Sequence, residues 1–205
     1  MSPDKPEGRA DNPAPDNQPP TQGPPHLDPR FYYAALLLVI LIVAGVAGSG
    51  KSTVGELLAA QLDWPFADAD TLHPEANVAK MRAGIPLTDA DRWPWLRAVA
   101  AWMDARVADG QSGVVTCSAL KRAYRDLLLA GRPSATMVFL QVSRDELDRR
   151  LLSRPGHFFP EKLLDSQLAA LEPPAPDERV RTVPEEGDAA RTAAAIISLL
   201  WPREA

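Results

Sequence analysis

Hydrophobic and polar positions follow two rhythms along this chain. Leu38 to Ala44 is uncharged and rich in β-branched residues, as in a central parallel strand covered on both faces. Ser52 to Leu62 then carries Val54, Leu57, Leu58 and Leu62 at helical spacing, which predicts a covering helix. A short strand ending near Phe66 follows. His73-Pro74 opens a helix that Gly84 closes, Thr88 to Asp91 resembles a cap, and Pro94 to Ala108 reads as a long helix bearing Leu96, Val99, Met103 and Val107. Gly113 to Cys117 and Thr136 to Val142 read as two more buried strands. Ser143 with Glu146 makes a capping-box start for a helix to Leu152. Arg154 to Pro160 reads as a loop, Glu161 to Leu171 as a helix, Arg179 to Val183 as a last strand and Asp188 to Leu200 as a closing helix. Strands separated by helices imply an α/β fold with a parallel sheet and right-handed crossovers.

Composition divides the 205 residues before their number is interpreted. Of the 21 prolines, 9 fall in the first 30 residues, where Leu27 is the sole large aliphatic side chain. Such a segment cannot bury enough surface to offset the entropy of ordering. Residues 1–35 are therefore read as a proline-rich disordered tail and 36–205 as one domain. A net charge of -5 and a pI near 5.2 argue against generic nucleic-acid binding, which runs on clustered Lys and Arg. Cys117 is the only cysteine, so a disulfide framework and a multi-cysteine metal site are excluded within the chain, and a reducing, cytoplasmic location is the simplest reading. Phe31 to Ala47 carries no charge but is shorter than the roughly 20 residues of a spanning helix. It also starts too late, and after too much proline and mixed charge, for a secretory signal. No membrane role is expected.

The residues Gly45-Val46-Ala47-Gly48-Ser49-Gly50-Lys51-Ser52 fit G-x-x-x-x-G-K-[ST] at every fixed position, between an apolar strand and an amphipathic helix. Glycines let backbone N–H groups turn inward around anionic oxygens, and the following helix presents its positive end to the same charge. With Thr53, these residues form the candidate ATP-binding set. Lys51 is expected at the β- and γ-phosphates and the Ser52 hydroxyl on Mg²⁺. Neither D-x-x-G nor N-K-x-D occurs, which excludes a GTP switch, and the strand ending at Cys117 runs into Ser118 rather than an acid. The nearest strand-end carboxylates are Asp68 and Asp70. They are expected to face opposite sides of an extended segment, one toward the metal and the other toward an acceptor hydroxyl. Short length, an early phosphate loop and D-x-D after the second strand together favour a small-molecule kinase.

Arg150 and Arg154 lie four apart at a helix end, so they share a face, and they lead into Pro155-Gly156-His157. Such a loop between helices can serve as a lid that closes cationic side chains over a nucleotide. Arginines at a helix C-terminus also complement the helix dipole without any catalytic role.

Several segments resemble the bacterial-type gluconokinases, small P-loop gluconate kinases related in fold to shikimate and adenylate kinases. These are GVAGSGKST (45–53), DADTLHPEANVAKMRAGIPLTDADRWPWL (68–96), VTCSALKRAYRDLL (115–128) and RLLSRPGHFF (150–159), together with Gln167 and the LEPP of Leu171 to Pro174. The resemblance extends over most of residues 38–200. It implies a three-layer P-loop kinase fold with a central parallel sheet, a helical substrate-side subdomain and a small lid at about 150–160. One departure is Ala47, where the family loop often has serine; the fixed positions are intact.

The resemblance further implies transfer of a phosphoryl group from ATP to D-gluconate, giving ADP and 6-phosphogluconate, with Mg²⁺ as cofactor. On that basis Lys51, Asp70, Arg150 and Arg154 are the candidate catalytic residues, with Asp70 as base or orienter at the 6-hydroxyl. Ser52 and Asp68 are the candidate metal-side residues. Gluconate is an anion, so its pocket needs a cation, and Arg92, Lys80, Lys121 and Arg125 are available; the resemblance favours Arg92 and Lys121. His73 either hydrogen-bonds substrate hydroxyls or caps a helix, and His157 is a lid residue on the substrate side. Cys117 reads as a small buried side chain, and Trp93, Trp95 and Trp102 as packing. The family is commonly dimeric, so a homodimer is a further implication. Two other readings stand beside this one: a related kinase for another sugar acid or polyol, and a catalytically silent nucleotide-binding regulator.

Overall fold

The computed structural model describes residues 38–153, 161–185 and 188–202. The tail assigned to residues 1–35 and the lid residues Arg154 to Pro160 lie outside them, so those assignments rest on sequence. Five strands form one parallel sheet: β1 (Ile40–Ala44), β2 (Phe66–Asp68), β3 (Gly113–Cys117), β4 (Ala135–Gln141) and β5 (Val180–Pro184), in the order β2-β3-β1-β4-β5. Seven helices cover it among the described residues: α1 (Lys51–Leu62), α2 (Glu75–Arg82), α3 (Asp89–Ala108), α4 (Arg122–Leu129), α5 (Arg144–Ser153), α6 (Glu161–Ala170) and α7 (Ala189–Leu200). A one-turn 3-10 helix, Ala69–Leu72, links β2 to α2.

β1 shows why the chain builds three layers. Its alternate residues Ile40, Ile42 and Ala44 pack with Val99 and Met103 of α3 and Leu128 of α4. Leu41 and Val43 turn the other way, onto Val54 and Leu58 of α1 and Ile196 of α7. Each Ile, Leu, Val or Met among them contributes about 1.5–3 kcal/mol by leaving water. Gly55 lets α1 seat closely on the sheet, since a Cβ there would come within 2.8 Å of Thr116 Cγ2 and 2.9 Å of the Phe66 ring. Pairing of β1 with β3 on one side and β4 on the other puts a crevice beyond the strands' C-terminal ends, where ligands collect in such sheets.

Four local expectations are corrected. The second strand runs through Asp68 instead of ending near Phe66. The long helix starts at Asp89, five residues before Pro94, because Thr88 and Asp91 close a full capping box: the Thr88 hydroxyl accepts from Asp91 N–H at 3.3 Å, and the Asp91 carboxylate accepts from Thr88 N–H at 2.8 Å. Pro94 lies inside this helix, where it removes the bond that would run back to Ala90. α4 was not anticipated. Ser143 does cap Glu146 N–H, but the Glu146 carboxylate turns to Arg149 and Arg150 and leaves the box half made. Among the described residues no helix is long and apolar enough to cross a membrane.

Candidate active site

The loop from Gly45 to Gly50 joins β1 to α1 at the crevice. Gly48 and Gly50 adopt φ of 79° and 88°, a region that costs other residues strain and that turns the loop into the helix start. Val46 packs into a small cluster with Leu120, Leu147 and Leu164, and Ser49 is buried. Ala47 takes part through its backbone, its N–H donating to Gln167 Oε1 of α6 at 2.7 Å. Lys51 opens α1 with its Nζ donating to Val46 O at 2.9 Å, and Ser52 and Thr53 follow on exposed positions. No acid sits in the first turn of α1, so the positive helix end is left to attract anions.

The two acids part company through a turn. Residues two apart on a strand share a face, so an extended Asp68-Ala69-Asp70 would have sent both carboxylates the same way, contrary to expectation. Instead the strand stops at Asp68, which caps the 3-10 turn by accepting from Asp70 N–H at 3.0 Å. Its other carboxylate oxygen accepts from the Ser52 hydroxyl at 2.8 Å, beside the phosphate loop. Asp70 is redirected to a cavity of about 150 Å³, which Lys51, His73, Arg92, Trp95 and Gln167 also line.

The wall opposite the phosphate loop is a network of side chains. His73 stacks on Trp95 at 4.2 Å between ring centres, and the Trp95 indole N–H donates to Ala69 O at 2.6 Å. Trp95 is therefore packing and cavity wall at once. His73 does not cap α2, whose cap residue is Pro74; its Nδ1 lies 3.3 Å from Asn77 Nδ2. Burial lowers the His73 pKa, with Asp70 opposing and Arg92 assisting. Arg92 lies 3.5 Å from the Tyr124 hydroxyl and 3.7 Å from Asp89.

The four candidate cations separate by their partners. Lys121 spends its ammonium on both Asp89 oxygens at 2.8 Å and is not among the cavity-lining residues, and that bond, with one from Tyr124, lowers the Asp89 pKa. Lys80 holds Asp91 at 2.6 Å and is the first cause of that carboxyl's very low pKa. Arg125 is excluded as an anion site: it is fully buried, forked onto Glu178 at 2.6 and 2.8 Å, and donates to the carbonyls of Ala119, Leu120 and Glu172. It braces the cavity floor, where Ala119 holds a φ of 42°. Arg92 is left as the cation facing the cavity from this side. Cys117 is fully buried, and burial pushes its thiol up to about 12, so it stays protonated and unreactive.

Arg150 of α5 reaches back to the phosphate loop, 3.5 Å from Gly48 O, held by Glu146 at 2.7 Å and by buried Glu185. Arg154 and His157 fall outside the described residues.

The shikimate kinase family matches residues 47–159, more than half of the chain. A gluconokinase from Gluconobacter oxydans is 48% identical over 160 residues, covering 78% of this chain and 85% of that protein. The chain belongs to the gluconokinase family. Among solved structures, a sugar kinase from Janibacter sp. matches with a TM-score of 0.74 at 44% identity, covering 80% of this chain and 94% of that one. A gluconokinase from Sinorhizobium meliloti matches at 0.71 and 43%, covering 79% and 93%. For this gluconokinase-family chain, sequence reasoning missed Asn77, Tyr124, Glu146 and Glu185 as parts of the site. The segments carrying Asn77 and Tyr124 had stood out by resemblance, and that was the available signal. Glu146 was read only as a cap although its i,i+4 spacing to Arg150 stands in the sequence, and Glu185 not at all, because it meets Arg150 only in the folded chain.

Proposed function

We propose that this chain transfers the γ-phosphoryl group of ATP to the 6-hydroxyl of D-gluconate. The observation that carries the reading is the convergence of phosphate-loop Lys51 with Asp70, His73 and Arg92 on one cavity. Gluconate has a carboxylate at one end and hydroxyls along its length. Arg92 answers the first, and Asp70 and His73 answer the second. Phosphoryl transfer passes through a loose transition state, so alignment of the hydroxyl contributes more than its full deprotonation. Asp70 orients that hydroxyl and takes its proton as the new bond forms, while Lys51 and Arg150 offset the charge spread over the transferred oxygens. Arg154 is assigned to the closing lid on its spacing from Arg150 and on resemblance, and His157 on its place in the same loop and on resemblance.

The Ser52 hydroxyl and Asp68 carboxylate suit Mg²⁺: they are hard oxygen donors already bonded to each other at 2.8 Å beside the phosphate loop. Held there with the nucleotide, the ion would supply positive charge to offset that of the phosphates. A cytoplasmic location agrees with this use of ATP. The reading is tested by ADP release across a panel of sugar acids, polyols and sugars. Gluconate turnover on the order of 1–100 s⁻¹ is expected; turnover of shikimate or a nucleoside monophosphate with none of gluconate would overturn the assignment, and no turnover at all would favour a silent regulator.

A further inference from the structure

We propose that Asn77, which does not line the cavity, is a positioning residue that holds His73 as its Nε2–H tautomer, so that the ring offers an N–H donor to an acceptor hydroxyl. The proposal rests on the cavity being the acceptor site. Asn77 is 3% exposed in the first turn of α2. One amide atom lies 2.8 Å from the backbone carbonyl of Asp91 and 3.3 Å from His73 Nδ1. A carbonyl only accepts, so that atom is the amide nitrogen whatever orientation is drawn. An amide nitrogen only donates, so His73 Nδ1 accepts. The neutral ring then carries its proton on Nε2.

The rest of the wall keeps this arrangement in place. Trp95 lies under the imidazole with only 14° between the rings. The Asp91 carbonyl sits in the first turn of α3, where the Thr88 box and Lys80 fix the residue. Asp70 and Arg92 are the charged groups facing His73, and they act in opposite directions, with burial the largest influence toward the neutral ring. Protonating Nδ1 would also set two N–H groups against each other at Asn77. The consequence is selective: a neutral donor attracts a hydroxyl without competing with Arg92 for the carboxylate, and Asp70 supplies the matching acceptor. This fixes which end of a hydroxy acid faces the phosphate loop.

The test is ¹⁵N NMR of the full chain, whose 3 histidines include His73 and whose signals a His73→Gln variant assigns. The unmodified protein is expected to show the Nε2–H tautomer at neutral pH and a His73 midpoint below 6.5. Asn77→Asp replaces the donor by an acceptor. It should favour a proton on Nδ1, raise the midpoint, and raise the gluconate KM by about tenfold while the ATP KM stays within about twofold. An Nδ1–H tautomer in the unmodified protein overturns the proposal, as does an Asn77→Asp protein with unchanged tautomer and gluconate KM. If the variant does not fold, the unmodified spectrum still decides. Absence of gluconate turnover would remove the cavity assignment but leave the tautomer to be judged on the free chain.

Discussion

The two walls of the cavity are built on different principles. The phosphate-loop wall is mostly backbone: glycine conformations, N–H groups and a helix terminus, with Ala47 taking part through its amide and only Lys51 and Ser52 acting through their side chains. The acceptor wall is made of side chains, each held by another: His73 by Asn77 and Trp95, Asp91 by Lys80 and Thr88, Asp89 by Lys121 and Tyr124. A backbone cradle binds the phosphates that every kinase of this type uses, whereas a side-chain wall can be re-cut for a particular acceptor. Outside Lys51 and Ser52, the first wall should therefore tolerate side-chain changes that the second does not.

Asp70→Asn attacks the acceptor wall at its centre. It should lower kcat by about 10²–10⁴-fold with the ATP KM little changed, the size of a general-base contribution; steady-state kinetics reads both, and an unchanged kcat would erase the contrast between the walls. Gly55→Ala tests instead what the cradle stands on. The added Cβ would press on Thr116 and Phe66 and should cost about 1–3 kcal/mol in chemical denaturation. A neutral result would mean that α1 can lift without loss. Ala47→Ser should be the mildest, within about 0.5 kcal/mol and hence about twofold in kcat/KM. A tenfold change would show that the loop is read through side chains after all.

That contrast also explains what could be read from the sequence. β1, the phosphate loop and α1 were legible because an apolar run, a glycine string and a helical period are contiguous, and each reports on its own neighbourhood. The Pro94 start was misplaced because a proline was given first-turn status while the Thr88 and Asp91 box was read only as a nearby cap. On the acceptor side, Arg92 and Arg125 look alike in sequence, both basic and both in family-like segments. Their roles diverge because Glu178, 53 residues on, takes Arg125 into the core. Asp68 and Asp70 take separate places in the structure, but by a 3-10 turn that no strand rule anticipates. Asn77 was quoted within a motif and given no part, since the Asp91 carbonyl that fixes its amide lies 14 residues on, in the next helix, and meets it only in the folded chain.

The central claim is that the cavity presents the 6-hydroxyl of gluconate to the phosphate loop. It is tested most directly by incubating the full chain with ATP, Mg²⁺ and ¹³C-labelled gluconate and locating the new phosphate by ³¹P–¹³C coupling. The account predicts a single phosphomonoester on C6. A phosphate on any other carbon, or none on gluconate, would contradict it.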